Sequence, residues 1–382
     1  MINLAQKDIV HTLGKFVVTA MGVGMLLGIV LIMIGVYRGL IVDATILLED
    51  IKADIWVVQE DTLGPFAEAS RIHEDLKNTL KTTQGINKAE AMTFQNIQLY
   101  VDKKPIRVTA VGYDPFGDIN PINKEHLTEG RTLQQSHYEA VVSFETGLKL
   151  HEKIDLGRNQ YTVVGITKKT VASSGDPLIY LSLKDAQELQ FSYSNPTIRN
   201  ERSRGTLQAS ETHLVNAVVC RVKQGVDPLL VAKEIQRWKH LSTFTKEEQE
   251  NILVKNVVEK SSKQIGLFTI ILVLVSTIII GLIIYTMTLE KIKEISIMKL
   301  IGIPDSMIIK MIVQETVLLG FFAFVFGNIF SHLIYDKFPK RVILEPTDAL
   351  ALFGVILVAS VIASFVGVEK VVHADPTVAI GG

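Results

Sequence analysis

The side chains able to make or break bonds are scattered through this 382-residue chain rather than grouped. Histidines such as His73, His126, His137 and His151 lack the short spacings that bring two metal ligands onto one turn, and no Gly-x-Ser-x-Gly elbow presents a serine nucleophile. No Gly-x-x-x-x-Gly-Lys-Ser/Thr run occurs, so the chain carries no phosphate-cradling loop. The one cysteine, Cys220, has no partner for an intramolecular disulfide, and in the alternating apolar run 214–222 it reads as a buried strand residue. The expectation is therefore no catalytic residue, no metal site and no bound cofactor. A net charge of −1 gives no ground for a nucleic-acid partner.

Four long uncharged stretches, 16–37, 264–289, 316–335 and 349–368, dominate the organisation of the chain. A bilayer core about 30 Å thick needs roughly 20 apolar residues in a helix, so each is long enough to cross, and the lipid bilayer is the first partner implied. The first stretch exceeds the usual signal-peptide core, and no small-x-small cleavage site follows Tyr37-Arg38-Gly39, so a retained helix is expected. Lys7, Lys15, Lys291, Lys293, Lys299 and Lys310 outnumber Lys337, Lys340 and Arg341 in the opposite short loop, which favours both termini and the 290–310 loop in the cytoplasm. Gly24 and Gly28 form a small-xxx-small pair, a seam at which two copies could pack. Glu315 and His332 sit near the ends of the third stretch, where they are expected to reach water rather than to relay protons.

Between the first two stretches lies a charged segment that reads as mixed α/β. Strands are expected at 53–59, 97–102, 106–113, 140–143, 161–166, 178–181, 214–222 and 241–245, with a hairpin turned at Asp102-Lys103-Lys104-Pro105. Helices are expected at 71–83, with Ile72, Leu76 and Leu80 on one face, and at 145–150, 183–190 and 227–238, the last capped by Asp227 ahead of Pro228. Residues 191–211 read as a long polar loop. From Glu247 a helical pattern runs through Val254, Val257 and Val258 into the second span with no Gly or Pro, a lever that could tie the segment to the membrane.

The strongest local signal follows the second span. Ile292, Ile295, Met298 and Ile301 fall on one helical face, Glu290, Lys293, Glu294 and Lys299 lie elsewhere, and Gly302 with Pro304 supplies a stop. Periodicity alone gives a short amphipathic surface helix joining two spans.

Residues 290–302 resemble the loop after the second span in the MacB/FtsX-type ABC permease family, which ends in Leu-x-Gly. Leu4-Ala5-Gln6-Lys7-Asp8-Ile9 is similar to that family's N-terminal surface helix. Glu129-Gly130-Arg131, Glu139-Ala140-Val141-Val142 and Tyr161-Thr162-Val163-Val164-Gly165-Ile166 resemble successive motifs of its exposed domain, and Asp375-Pro376-Thr377-Val378-Ala379-Ile380 looks like its closing Pro-x-x-Ala-Leu. The order of these matches is the specific feature, and it spans nearly the whole chain. His151-Glu152-Lys153-Ile154 and the insertion 191–211 depart from the pattern. Trp56-Val57-Val58, with Pro177-Leu178-Ile179-Tyr180-Leu181-Ser182-Leu183, is similar to the DevC-like members, which work with a membrane-fusion protein.

The resemblance implies a membrane α-helical fold of four transmembrane helices plus a mixed α/β extracytoplasmic domain between helices 1 and 2. Its parts would be a cytoplasmic amphipathic helix (1–15), a first span (16–37), a MacB-like periplasmic core domain (38–262), a second span (263–289), a cytoplasmic coupling helix (290–304), a third span (305–335), a periplasmic loop (336–348), a fourth span (349–368) and a cytoplasmic tail (369–382). It implies a non-catalytic permease subunit of the bacterial inner membrane, acting as a homodimer with a separate cytoplasmic ABC ATPase that binds the ATP. Glu290, Lys291, Lys293, Glu294, Ile295, Met298, Lys299 and Gly302 would couple to that ATPase. The function implied is export of a lipid-like or amphiphilic substrate by mechanotransmission, with a membrane-fusion protein and an outer-membrane channel as further partners. The alternatives are an FtsX-like regulatory permease that activates an envelope hydrolase and an ATP-independent membrane sensor.

Overall fold

In the computed structural model, residues 13–372 are described except 67, 69, 102, 193–212, 239 and 339. The expected N-terminal surface helix up to residue 12, the polar loop from residue 193 and the tail with its closing motif lie outside the described residues. In chain order the elements are α1 (Leu13–Ile51), β1 (Ile55–Gln59), β2 (Ile72–His73), α2 (Leu76–Thr82), β3 (Ile86–Val101), β4 (Lys104–Tyr113), β5 (Leu127–Gly130), β6 (Glu139–Ser143), β7 (Lys153–Leu156), β8 (Asn159–Thr167) and β9 (Leu178–Ser182). They continue with α3 (Leu183–Ser192), β10 (Leu214–Val215), β11 (Ala217–Val222), α4 (Pro228–Gln236), β12 (Leu241–Thr245), α5 (Lys246–Leu253), a π-helical turn (Val254–Val258), α6 (Glu259–Glu290), α7 (Ile292–Leu300), α8 (Asp305–Ile334) and α9 (Pro346–Val372). Two compact units emerge, one formed by Ile41–Lys260 and the other by the helices before and after it.

The first unit is built on a mixed sheet in the order β12-β1-β11-β3-β4-β9-β6-β8-β5, with β7 paired to β8. Successive side chains of a strand point to opposite faces, and here both faces are apolar. One face carries a single core from Trp56, Val58, Val219 and Met92 across to Val111, Tyr180, Val141 and Val164, and Leu47, Leu48, Ile51 and Leu253 cover it. The opposite face is divided. Ile55, Val57, Val218 and Cys220 pack with Leu80, Val231 and Ile235, whereas Val108, Ala110, Ile179 and Val163 pack with Ala186 and Leu189. Cys220 is thus the buried strand residue expected, and burial pushes its thiol up to about 12.

Several boundaries differ from expectation for identifiable reasons. The first helix does not end at Tyr37 but runs to Ile51, because Leu47, Leu48 and Ile51 have a core to enter. The helix expected over 71–83 begins only at Leu76, since Ile72 and His73 pair as a strand with Val215 and Leu214. The helix expected at 145–150 is reduced to one 3-10 turn, Phe144–Thr146, closed by Gly147 at φ 75°. The strand expected over 214–222 is broken at Asn216, whose amide donates to the Ser70 carbonyl and accepts from Phe94 N–H. The hairpin forms as expected but its turn is tighter, since Lys104 and Pro105 already pair with Val101 and Tyr100, and Asp227 caps α4 by accepting from Leu229 N–H at 2.9 Å. Thr245 and Glu248 form a reciprocal capping box at the start of α5.

The second unit is helical. Among the described residues, three helices, Leu13–Ile51, Ser261–Glu290 and Asp305–Lys337, are long and apolar enough to cross a membrane, and α9 carries a shorter apolar stretch over Pro346–Ile362. The expected seam between copies is used within the chain instead. A Cβ on Gly24 would meet the Ala323 carbonyl oxygen at 2.7 Å, and one on Gly28 would meet the Gly327 carbonyl oxygen at 2.9 Å. Gly24 and Gly28 therefore seat α1 backbone-to-backbone on α8, a close approach that the missing side chains of Gly24, Gly28 and Gly327 make possible. Arg38 bonds Glu345, just before α9, and Asp348 in its first turn.

Substitution tests both kinds of contact. Buried Glu139 accepts from Arg131 and from the backbone N–H of Gln134 and Gln135, and these bonds hold its carboxyl below the usual carboxylate range. A lowered carboxylate pKa stabilises the fold above the unfolded-state value near about 4.3 and loses that contribution as pH falls through the folded-state value. Glu139→Gln should cost about 2 kcal/mol at pH 7, and the gap to wild type should close in acid unfolding series; a gap independent of pH would contradict this origin. For the helix seam, Gly24→Ala should lower stability in detergent by about 1–3 kcal/mol. Gly22→Ala, where an added Cβ meets nothing within 4 Å, should be tolerated in the same thermal assay.

Candidate functional site

The loop between α6 and α8 is a built structure. Chain reversal begins at Lys291, whose N–H still bonds the Met287 carbonyl and whose own carbonyl accepts from Ile295 N–H. It ends in paired bonds from Gly302 N–H to the Lys299 carbonyl and from Ile303 N–H to the Met298 carbonyl, both at 3.0 Å. This is a Schellman stop, and it requires the left-handed backbone that Gly302 adopts at φ 92°. Met298 and Ile303 pack against the same apolar cluster, which completes the motif. The stop expected from Gly302 and Pro304 is therefore where the sequence placed it.

Which residues face inward is a different matter. Ile295 is buried against Ile280, Ile308 and Ile312, with Met298 and Ile303 half-buried beside it. Lys291, expected at a docking surface, is turned inside: its Nζ lies 2.5 Å from Glu315 Oε1, and both side chains are nearly removed from solvent. Glu315 therefore does not reach water as expected but is paired on α8. Lys299 is also largely covered and lies 3.2 Å from Asp305 at the start of α8. Glu290 makes an exposed pair with Lys15 of α1 at 3.0 Å.

The open face consists of Lys293, Glu294, Ile297, Leu300, Ile301 and Gly302. Ile301, expected on one helical face with Ile292, Ile295 and Met298, is 76% exposed while Ile295, expected to couple to a partner, is buried, and Ile297 and Leu300 are each about half exposed. These three are the site residues that sequence reasoning missed. Their i, i+3, i+4 spacing was a signal, but α7 carries a second apolar stripe at Ile292, Ile295 and Met298, and periodicity cannot say which stripe turns inward. A helix apolar on both sides needs cover on both sides.

The chemistry-bearing side chains of the strand unit make structural pairs. His126 Nδ1 lies 3.0 Å from buried Asp50, near the end of α1. His137 Nδ1 lies 2.7 Å from Asp185, which also accepts Tyr138 N–H at 2.8 Å. His137 borders a cleft of about 550 Å³ shared with Glu74, Lys77, Phe116 and His213. Among the described residues, no three His, Cys, Asp or Glu side chains converge as metal ligands would.

Comparison with known proteins places these two units. Residues 16–238 match the MacB-like periplasmic core domain, and residues 266–376 match the FtsX-like permease C-terminal family. The chain is 23% identical to an uncharacterised ABC transporter permease of Mycobacterium bovis over 390 residues, covering 100% of both. It is 21% identical to a putative hemin transport system permease protein, HrtB, of Staphylococcus epidermidis, covering 100% of this chain and 99% of the relative. Among solved structures, the periplasmic region of MacB from Actinobacillus actinomycetemcomitans aligns with a TM-score of 0.36 at 12% identity, covering 53% of this chain and 94% of that one.

The stop at Gly302 can be tested directly. Gly302→Val forces a β-branched residue into left-handed backbone, at a cost of about 1–2 kcal/mol. Hydrogen exchange at the amides of 298–303 should accelerate by roughly tenfold or more, with the amides of α8 beyond Met311 unaffected; unchanged protection would show that the stop does not depend on the glycine.

Proposed function

Because the chain belongs to the family of ABC transporter permeases that join a MacB-like periplasmic core domain to an FtsX-like permease C-terminal part, we propose that it is the membrane subunit of an ATP-driven exporter, moved through α7 by a separate cytoplasmic ATPase. The observation that carries the reading is the open face of α7. Ile297, Leu300 and Ile301 stand uncovered on a helix that is fixed from behind. Full burial of one such side chain is worth about 1.5–3 kcal/mol, so three give a docking contact. Lys293 and Glu294 beside them supply charge for register and partner choice rather than affinity.

In this reading α9 is a fourth span, both termini and α7 are cytoplasmic, and the unit Ile41–Lys260 lies beyond the inner membrane. Two copies work with two ATPases, and the motion produced at α7 is delivered outward as mechanotransmission. A lipid-like or amphiphilic cargo suits the apolar helices, and the hemin named for the staphylococcal relative, a flat apolar body with carboxylates, is a molecule of that kind. A membrane-fusion protein would then receive the cargo.

The test is co-purification from the native membrane. Wild type should retain a Walker-containing ATPase, and Ile297→Ser/Leu300→Ser/Ile301→Ser should lose it, with stimulated hydrolysis falling about tenfold or more while membrane insertion is unchanged. Glu290→Lys/Glu294→Lys should lower hydrolysis with a steeper salt dependence. Full coupling in the triple variant would remove α7 as the docking element, and envelope-hydrolase activation without any efflux would replace export by regulation.

A further inference from the structure

We propose, resting on the exporter reading, that Lys291 and Glu315 form the joint that passes a push on α7 to α8, and that the glycine seat passes it from α8 to α1. Lys291 closes the link between α6 and α7, and Glu315 stands on α8 a turn beyond Met311 and Ile312. Their charged ends meet at 2.5 Å with about a tenth of each side chain exposed. Apolar contacts such as Ile295 on Ile308 and Ile312 are non-directional and let helices slide, whereas two desolvated charges part only at the cost of the contact between them. The exposed Lys15–Glu290 pair is solvated and cannot act in this way.

The second step is steric. Gly327 of α8 and Gly24 and Gly28 of α1 leave backbone against backbone, and a Cβ on Gly327 would lie 2.7 Å from the Gly24 carbonyl oxygen. A ridge set this deeply in a groove resists sliding along the helix axis, so displacement of α8 displaces α1. By contrast α6 presents Leu267, Ile270, Leu274, Ile278 and Leu282 outward and is held by far fewer side chains. Within one copy the load path therefore runs through α8 and α1.

The experiment uses the full permease with its ATPase in lipid nanodiscs. Leu333→Cys, 70% exposed near the far end of α8, is labelled with a maleimide in vanadate-trapped and nucleotide-free complexes; the native Cys220 is buried and silent. Labelling rates should differ by about fivefold or more between the two states. Glu315→Gln should bring the ratio close to one while the ATPase remains bound, and the exchange Lys291→Glu/Glu315→Lys should restore it. Should Glu315→Gln fail to reach the membrane, Lys291→Met/Glu315→Leu, which removes both charges of the pair, takes its place with the same expected loss. A ratio kept in either variant, or an exchange no better than the single change, overturns the joint. A wild-type complex that holds no ATPase defeats the exporter reading, and the joint with it.

Discussion

An ammonium and a carboxylate taken out of water together gain most from contact with each other, and the Lys291–Glu315 pair brings that constraint to the loop between α6 and α8. Once Lys291 must reach Glu315, the rotation of α7 about its own axis is set. Ile295 is then carried inward, and Ile297, Leu300 and Ile301 are carried out. An apolar pair at the same two positions could fill the volume, but it would leave the helix free to roll onto its other apolar stripe. The charge pair is better understood as a device for orientation than as a source of net stability.

The strand unit meets a different requirement. Its sheet is apolar on both faces, so neither can be left to water. One continuous face is covered by the last turns of α1 and by α5, the other by α2 and α4 at one side and α3 at the other. Asp50, buried among these apolar side chains, is satisfied by His126, which fastens the end of α1 to the loop before β5. Glu139 does the same for the segment between β5 and β6 through Arg131. The histidines and carboxylates that might have suggested chemistry thus fasten loops to a sheet.

Local signals were the legible part of this chain. Long uncharged runs, the Asp227 cap, the presence of a hairpin after β3 and the Gly302 stop each rest on physics within a few residues, and each could be read without the fold. The extension of α1 to Ile51 could not, because Arg38, Asp43 and Asp50 look like the end of a membrane helix until Asp348 and Glu345 are seen to accept from Arg38, and Asp50 to pair with His126. The small-xxx-small pair was legible as a close approach but not as to its partner, since Gly327 lies some three hundred residues away in sequence. The inward face of α7 was hidden for the same reason, its arbiter being Glu315 on another helix.

Fixing α7 at both ends has a consequence for how it meets a partner. Its start is held by Lys291 to Glu315, its end by the Schellman bonds at Gly302 and by Lys299 to Asp305. A flexible loop would surrender conformational freedom on docking, and that entropy loss would weaken the association. A knob already held in one orientation loses little, so under the proposed docking a small apolar face would suffice. The same rigidity means that a displacement applied to Ile297, Leu300 and Ile301 is not absorbed within α7, because the stop and the joint leave it no soft dihedral through which to yield.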